Sequence, residues 1–167
     1  MGEESNIRPP FKVAEWVGDE RRGCLRLLDQ TRLPGHVEYV DCRDTMQVWD
    51  AIRRLVVRGA PAIGVAASYG MVVAGQFIPD GADFLTGLEA AAIYLEGSRP
   101  TAVNLSWAVR RVLGRARNTT GGEDRIRAAM LAEARAIQAE DEGIDQGQNH
   151  LRHRVATVAA RVVQVLG

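Results

Sequence analysis

The sequence has no excess charge of either sign. Its 21 acidic and 21 basic residues balance over 167 positions. Nucleic acids and anionic membranes are usually attracted by a basic surface or tail, which this composition does not provide. We therefore expect no nucleic-acid or membrane partner, and any anion that the chain binds must be recognised locally by a few side chains.

Cysteine and long apolar runs are also scarce. Cys24 and Cys42 have neither the number nor the spacing of a disulfide framework or a zinc site, which predicts two reduced, half-buried thiols. Residues 1–10 are polar and do not resemble a signal peptide. The apolar stretch 63–74 is shorter than the roughly 20 residues that a bilayer span needs, so it predicts a core helix. A cytoplasmic location is the expectation.

The residue pattern predicts an α+β fold that is mainly helical. Alternating residues at 24–28 and 37–41 indicate two strands around a Pro34-Gly35 loop, with a third strand at 11–17. Helical spacing then follows in five segments, and a sixth covers a divergent tail at 143–167. We expect one domain at 1–142, made of an antiparallel sheet at 11–42 and a helical bundle at 44–142.

Local signals place the starts and faces of these helices. Asp44-Thr45 offers an N-cap for the first helix, and Pro61 opens the second, whose small residues predict the most buried helix of the bundle. The third and fifth helices are expected at 83–96 and from 123 to about 142. The fourth is expected at 101–115, with an inward face made of Val103, Trp107, Val109, Val112 and Leu113.

Two arginines stand just before helix starts, in a pattern that suits a phosphate. Arg58 precedes Gly59, Ala60 and the proline of the second helix, so a guanidinium, a flexible backbone and free N–H groups meet at one helix N-terminus. Arg99-Pro100-Thr101 repeats this arrangement, and Asn104 lies one turn inside the fourth helix. Taken alone, each pattern also fits an ordinary helix corner with a solvated arginine.

Three blocks of the chain resemble the methylthioribose-1-phosphate isomerases, the aldose–ketose isomerases of methionine salvage. They read LLDQTRLP at Leu27–Pro34, VRGAPAIGVAASYG at Val57–Gly70 and RPTAVNLSWAV at Arg99–Val109. The resemblance covers roughly residues 11–142 and is with the N-terminal part of that family. It implies a substrate-lid domain without the doubly wound α/β domain that follows in the family.

The resemblance also implies the site. Arg58, Gly59, Ala60 and Arg99 match the family's substrate contacts, so a phosphorylated pentose is the expected ligand. The family's catalytic cysteine and aspartate belong to its C-terminal domain, and neither Cys24 nor Cys42 has a matching context. No catalytic residue is therefore assigned, and catalysis by this chain alone is not expected. A second copy of the chain or a separate C-terminal half remains open as a partner.

A second hypothesis is a non-catalytic binding or assembly module of the same superfamily, which includes ribose-1,5-bisphosphate isomerases and regulatory subunits of a translation-initiation exchange factor. The two arginine motifs favour the isomerase hypothesis. In the tail, His150 and His153 have no nearby carboxylate or cysteine at ligand spacing and predict a solvated helix start, so no metal or cofactor is expected. We expect the apolar stripe of the tail, from Leu151 to Leu166, to remain exposed.

Overall fold

A computed structural model describes residues 11–143. The first part of this range forms a small antiparallel sheet. Its strands are β1 (Ala14–Val17), β2 (Cys24–Leu28) and β3 (Tyr39–Cys42), in the order β1-β2-β3. Trp16 lies opposite Leu25, and Leu27 lies opposite Val40. A single 3-10 turn, Gln30–Arg32, follows β2. The sheet confirms the predicted strands, although β3 starts two residues later than the pattern indicated.

A helical bundle follows the sheet. Its helices are α1 (Thr45–Arg53), α2 (Ala60–Phe77), α3 (Phe84–Glu96), α4 (Val103–Arg117) and α5, which occupies residues 123–143 of the described range. Asp44 caps α1 as predicted, because its carboxylate accepts a hydrogen bond from the Gln47 N–H. The mainly helical α+β fold is thus confirmed, whereas the tail lies outside the described residues.

Helix α2 is the centre of the bundle. It is long and apolar enough to cross a membrane by composition, yet 13 of its 18 residues are buried within the protein, as predicted for a core helix. Its small residues let neighbours approach: a Cβ on Gly70 would lie 2.9 Å from a Val48 methyl and 3.1 Å from a Leu95 methyl. Tyr69 stacks on Trp16 and thereby joins α2 to the sheet.

The inward face predicted for α4 is wrong at two positions. Val103 and Trp107 are 79% and 51% exposed. The buried stripe of α4 consists instead of Leu105, Ala108, Val109, Val112, Leu113 and Ala116. Val103 and Trp107 are four residues apart and share the opposite side of the helix, where the Arg111 guanidinium lies 5.2 Å from the centre of the Trp107 ring.

Helix α1 ends at Arg53, although helical apolar spacing over Val48, Ala51, Ile52, Leu55 and Val56 predicts a helix that continues to Gly59. Leu55 adopts a left-handed backbone with φ 61°, which stops the helix, and the Val56 N–H donates to the carbonyl of Ala51. Leu55 therefore leaves the apolar stripe and is 38% exposed, whereas Val56 and Val57 are buried. This turn sends the chain directly toward the start of α2.

Candidate functional site

The first arginine motif forms an open helix start. Gly59 has φ 91° and ψ 138°, a conformation that favours glycine, and Pro61 lies in the first turn of α2. No side chain caps this helix, and residues 58–61 are all exposed. The Ala60 N–H and the positive end of the α2 dipole are therefore open to an anion beside the Arg58 side chain.

The loop that presents Arg58 is held from two sides. The backbone N–H of Arg58 donates to Oε1 of Gln30 at 3.0 Å, and the N–H of Gln30 donates to the Val56 carbonyl at 3.0 Å. Arg58 Nε lies 3.4 Å from the carbonyl oxygen of Leu55. Gln30 was not predicted as a site residue, and the only signal for it was its place in the LLDQTRLP block.

The second arginine motif lies in a tight turn between α3 and α4. Ser98 is fully buried, with its hydroxyl donating to the Leu95 carbonyl at 2.6 Å, and the Ala102 N–H donates to the Arg99 carbonyl at 3.0 Å. Helix α4 then begins without a side-chain cap. The helix starts two residues later than the expected start at Thr101, since Ala102 occupies the N-cap position in an extended conformation.

The two helix starts lie next to each other. Gly64 is in the second turn of α2, and a Cβ at this position would be 3.1 Å from the carbonyl oxygen of Asn104, in the first turn of α4. The Asn104 Cβ would be 3.6 Å from the same point. Because a helix rises about 1.5 Å per residue, Ala60 lies only about 6 Å along the axis from this contact. The structure thus brings together the elements that carry the two motifs.

No carboxylate within the described part of the chain neutralises Arg58 or Arg99. Among the described residues, no ion pair involves Arg58 or Arg99, whereas Arg26, Arg54 and Arg111 each pair with an acidic side chain within 3.0 Å. Two unpaired guanidiniums and two uncapped helix N-termini give this part of the surface a local positive potential. The overall neutrality of the chain is compatible with such a site.

A groove of about 570 Å³ adjoins the start of α4. Its lining consists of Pro100, Thr101, Val103, Ser106, Trp107, Arg110 and Arg111. Its first lining residue, Pro100, follows Arg99 in the sequence, and the groove surface is apolar at Val103 and Trp107. It therefore places an exposed apolar surface next to the second arginine motif.

The cysteines are unsuited to proton transfer. Both are almost fully buried rather than half-buried, at 3% and 0% exposure, in strands β2 and β3. Burial raises the pKa of the Cys24 thiol, and it raises the pKa of Cys42 to about 12. Such thiols stay protonated and shielded at neutral pH. Residues 11–143 contain no cluster of three or more potential metal ligands, and His150 and His153 lie outside that range.

The fold and the site together define a small sheet and a helical bundle that presents two neighbouring helix starts, each uncapped and preceded by an arginine motif. The sequence model of the Initiation factor 2 subunit family matches residues 56–158, which include both arginine motifs. The chain belongs to this family.

Curated relatives of the chain are sugar-phosphate isomerases. It is 48% identical over 129 residues to the methylthioribose-1-phosphate isomerase of Pelotomaculum thermopropionicum, covering 75% of this chain and 35% of the relative. It is 41% identical over 126 residues to the 5-deoxyribose 1-phosphate isomerase of Clostridium botulinum, covering 74% and 36%. The chain thus spans about a third of the length of these relatives.

Solved structures of both kinds of family member share the fold. The delta subunit of translation initiation factor eIF-2B from A. fulgidus superposes with a TM-score of 0.71 at 33% identity, over 78% of this chain and 37% of that one. The 5-methylthioribose 1-phosphate isomerase from Pyrococcus horikoshii superposes with a TM-score of 0.69 at 30% identity, over 77% and 36%. The resemblance inferred from the three sequence blocks is confirmed.

Proposed function

We propose that this chain is the N-terminal, sugar-phosphate-binding part of a methylthioribose-1-phosphate isomerase, an aldose–ketose isomerase of methionine salvage. Residues 1–142 serve as its substrate-lid domain, and Arg58, Gly59, Ala60 and Arg99 bind the substrate. The observation that carries the proposal is the contact between Gly64 and Asn104, because it sets two unpaired arginines at neighbouring helix starts. The identity of 48% to an isomerase over both motifs supports the same assignment.

The geometry suits the phosphate end of the substrate. A guanidinium offers two parallel N–H groups to a phosphate, and the Ala60 N–H adds a donor on the helix axis. A side chain at position 59 would have to adopt a strained backbone, and glycine also leaves room for a ligand oxygen beside the chain. The relatives named above act on 5-methylthioribose 1-phosphate and 5-deoxyribose 1-phosphate, so a ribose 1-phosphate modified at C5 is the proposed ligand class.

We assign binding and orientation to this chain and the proton transfers to groups outside it. Opening a ring that carries an anomeric phosphate needs a proton donor, and moving hydrogen between C1 and C2 needs an acid–base pair. The buried thiols of Cys24 and Cys42, with raised pKa values, are poor candidates for either role. A separate C-terminal half, or a second copy of the chain, is the proposed partner, and the cytoplasm is the proposed location.

Calorimetric titration of the purified chain with 5-methylthioribose 1-phosphate tests the binding role. We expect Arg58→Ala and Arg99→Ala each to weaken binding by about 10- to 100-fold, the range for loss of one or two hydrogen bonds to a charged group. Arg135→Ala is the matched control, because this exposed arginine of α5 has no ion pair within residues 11–143. Affinity that is unchanged in both site variants would contradict the proposal.

An activity assay tests the absence of catalysis. The chain alone should bind the sugar phosphate without forming the ketose. Turnover near the typical enzyme value of about 10 per second would show that a catalytic pair lies within the 167 residues.

The alternative is a non-catalytic assembly module, and the fold shared with the eIF-2B delta subunit is the observation that favours it. An assembly module has no need of unpaired arginines at two adjoining helix starts. Under this alternative the titration shows no sugar-phosphate binding, and sedimentation shows association with another protein subunit instead.

A further inference from the structure

The LLDQTRLP block has a structural role at the site that the arginine motifs alone do not reveal. We propose that Gln30, in the 3-10 turn of this block, is a positioning residue that fixes the Arg58 loop for anion binding. The ligand part of this inference depends on the proposed function, whereas the loop-holding part does not. The starting observation is the pair of hydrogen bonds that connect Gln30 with Val56 and Arg58.

These two hydrogen bonds hold the loop at Val56 and at Arg58. The main-chain N–H of Gln30 donates to the Val56 carbonyl, and its side-chain Oε1 accepts the N–H of Arg58, both at 3.0 Å. Val56 and Val57 are buried while Arg58 is exposed, so the side-chain bond acts where the loop leaves the core. Among residues 11–143, the Gln30 side chain is the one hydrogen-bond acceptor of the Arg58 N–H.

The 3-10 turn is itself anchored to the sheet. Its N-cap Asp29 donates its N–H to the Glu38 carbonyl at 2.8 Å and accepts the Thr31 N–H at 3.0 Å. The preceding residue, Leu28, is the buried end of β2. Gln30 thus connects a fixed strand to a loop 28 residues later in the chain.

The loop needs such support because its conformation is unfavourable. Leu55 is held at φ 61° and Gly59 at φ 91°, so the backbone turns in the left-handed sense on both sides of the segment 56–58. A non-glycine residue in this region is sterically disfavoured, because its Cβ comes too close to the following carbonyl oxygen. The Gln30 bonds hold the segment between these turns and keep Arg58 beside the start of α2.

Hydrogen exchange and ligand titration together test the role of Gln30. Gln30→Met removes the acceptor at nearly constant shape, and Gln30→Glu keeps an acceptor oxygen. Gln76→Met is the matched control, because it removes a glutamine hydrogen bond to the Gly23 carbonyl elsewhere in the fold. The chain is measured free and with 5-methylthioribose 1-phosphate.

In the free chain, we expect Gln30→Met to speed exchange of the Arg58 amide about fivefold to tenfold, the effect of losing one hydrogen bond. Gln30→Glu should keep that amide protected but lower phosphate affinity, because it places a negative charge near the anion. Gln76→Met should change neither quantity.

The ligand titration separates positioning from general stability. Gln30→Met should weaken binding about tenfold in the wild-type background, and clearly less in an Arg58→Ala background, because the positioned side chain is then absent. Equal Arg58 exchange in Gln30→Met and wild type, or full additivity of the two substitutions, would overturn the inference. Absence of sugar-phosphate binding to the wild-type chain would refute the proposed function, and the exchange rates would still decide whether Gln30 holds the loop.

Discussion

Gly64 of α2 faces the backbone carbonyl of Asn104 in α4 so closely that a Cβ at Gly64 would lie 3.1 Å from that oxygen. The two helices can approach this closely only because residue 64 has no side chain. The same approach sets the starts of the two helices, and therefore the two arginine motifs, side by side. Packing inside the bundle and geometry at the surface thus depend on one residue.

Replacing Gly64 should affect stability and binding together. Gly64→Ala is expected to cost about 1–2 kcal/mol of unfolding free energy, because the methyl group must push α4 away from α2. Sugar-phosphate affinity should fall at the same time, since the helix starts separate. Gly114→Ala in α4 is the control: nothing lies within 4 Å of its Cβ position, and alanine in a helix should add about 0.5–1 kcal/mol. Urea unfolding measures both changes, and equal effects of the two substitutions would contradict this account.

Leu55 has a left-handed backbone, so glycine at this position should stabilise the fold. Leu55→Gly should raise the unfolding free energy by up to about 1 kcal/mol, because glycine adopts φ 61° without the steric cost that leucine meets. Arg53→Gly, two residues earlier and still within α1, should instead lower it by about 0.5–1 kcal/mol. A denaturation series on the two variants checks the opposite signs. A loss of stability in Leu55→Gly would show that the packing of its side chain outweighs the backbone strain.

Arg127 should be among the polar side chains that contribute most to stability. Only 4% of its side chain is exposed, and it donates to the carbonyls of Gly75 and Ile78 at 2.9 Å while pairing with Asp80 at 2.7 Å. Its guanidinium also lies 4.8 Å from the centre of the Phe84 ring. Arg127→Met leaves the carbonyls of Gly75, in α2, and of Ile78, directly after α2, without these donors and should cost about 3 kcal/mol. Arg135→Met, at an exposed position of α5, should change stability by less than about 0.5 kcal/mol in the same thermal or urea assay.

The folded protein should lose stability at alkaline pH because the Tyr69 phenol is buried. Burial raises its pKa to about 12, and its hydroxyl donates to Gln138 Oε1 at 2.5 Å. The folded state therefore favours the protonated phenol. This preference contributes fully to the free energy of unfolding below the ordinary tyrosine pKa of about 10. Stability should fall as the pH rises from about 10 to about 12. In Tyr69→Phe the fall over this window should be shallower, and an identical pH profile would exclude Tyr69 as its source.

Features that depend on neighbouring residues were predictable from the sequence. The Asp44 cap, the proline at the start of α2 and the strand at Cys24–Leu28 all depend on local backbone chemistry, and the structure has them where the residue pattern places them. The sequence pattern places Trp107 on the wrong face because α4 carries apolar residues on two sides, and only packing against α2 and α3 decides which side is buried. The amphipathic pattern was ambiguous at that point.

The parts of the site that involve long-range contacts were not predictable. The bond between Gln30 and Arg58 spans 28 positions, and no periodicity relates the two residues. The left-handed backbone of Leu55 could not be predicted from the sequence either, because a leucine at that position continues the apolar helical spacing of α1. The four site residues remain a prediction from the resemblance, whereas the adjacency of their helices is now a structural observation.

The exposure of residues 58–61 has a kinetic consequence. A ligand held there keeps water on its outer side, so each charge contact acts in a medium of high dielectric constant. At 4 Å, a pair of unit charges is worth about 1 kcal/mol in water but about 4 kcal/mol at an effective dielectric constant of 20. The open surface should therefore release its anion quickly. Any surface that closes over the two helix starts would lengthen the residence time by orders of magnitude without adding a single hydrogen bond.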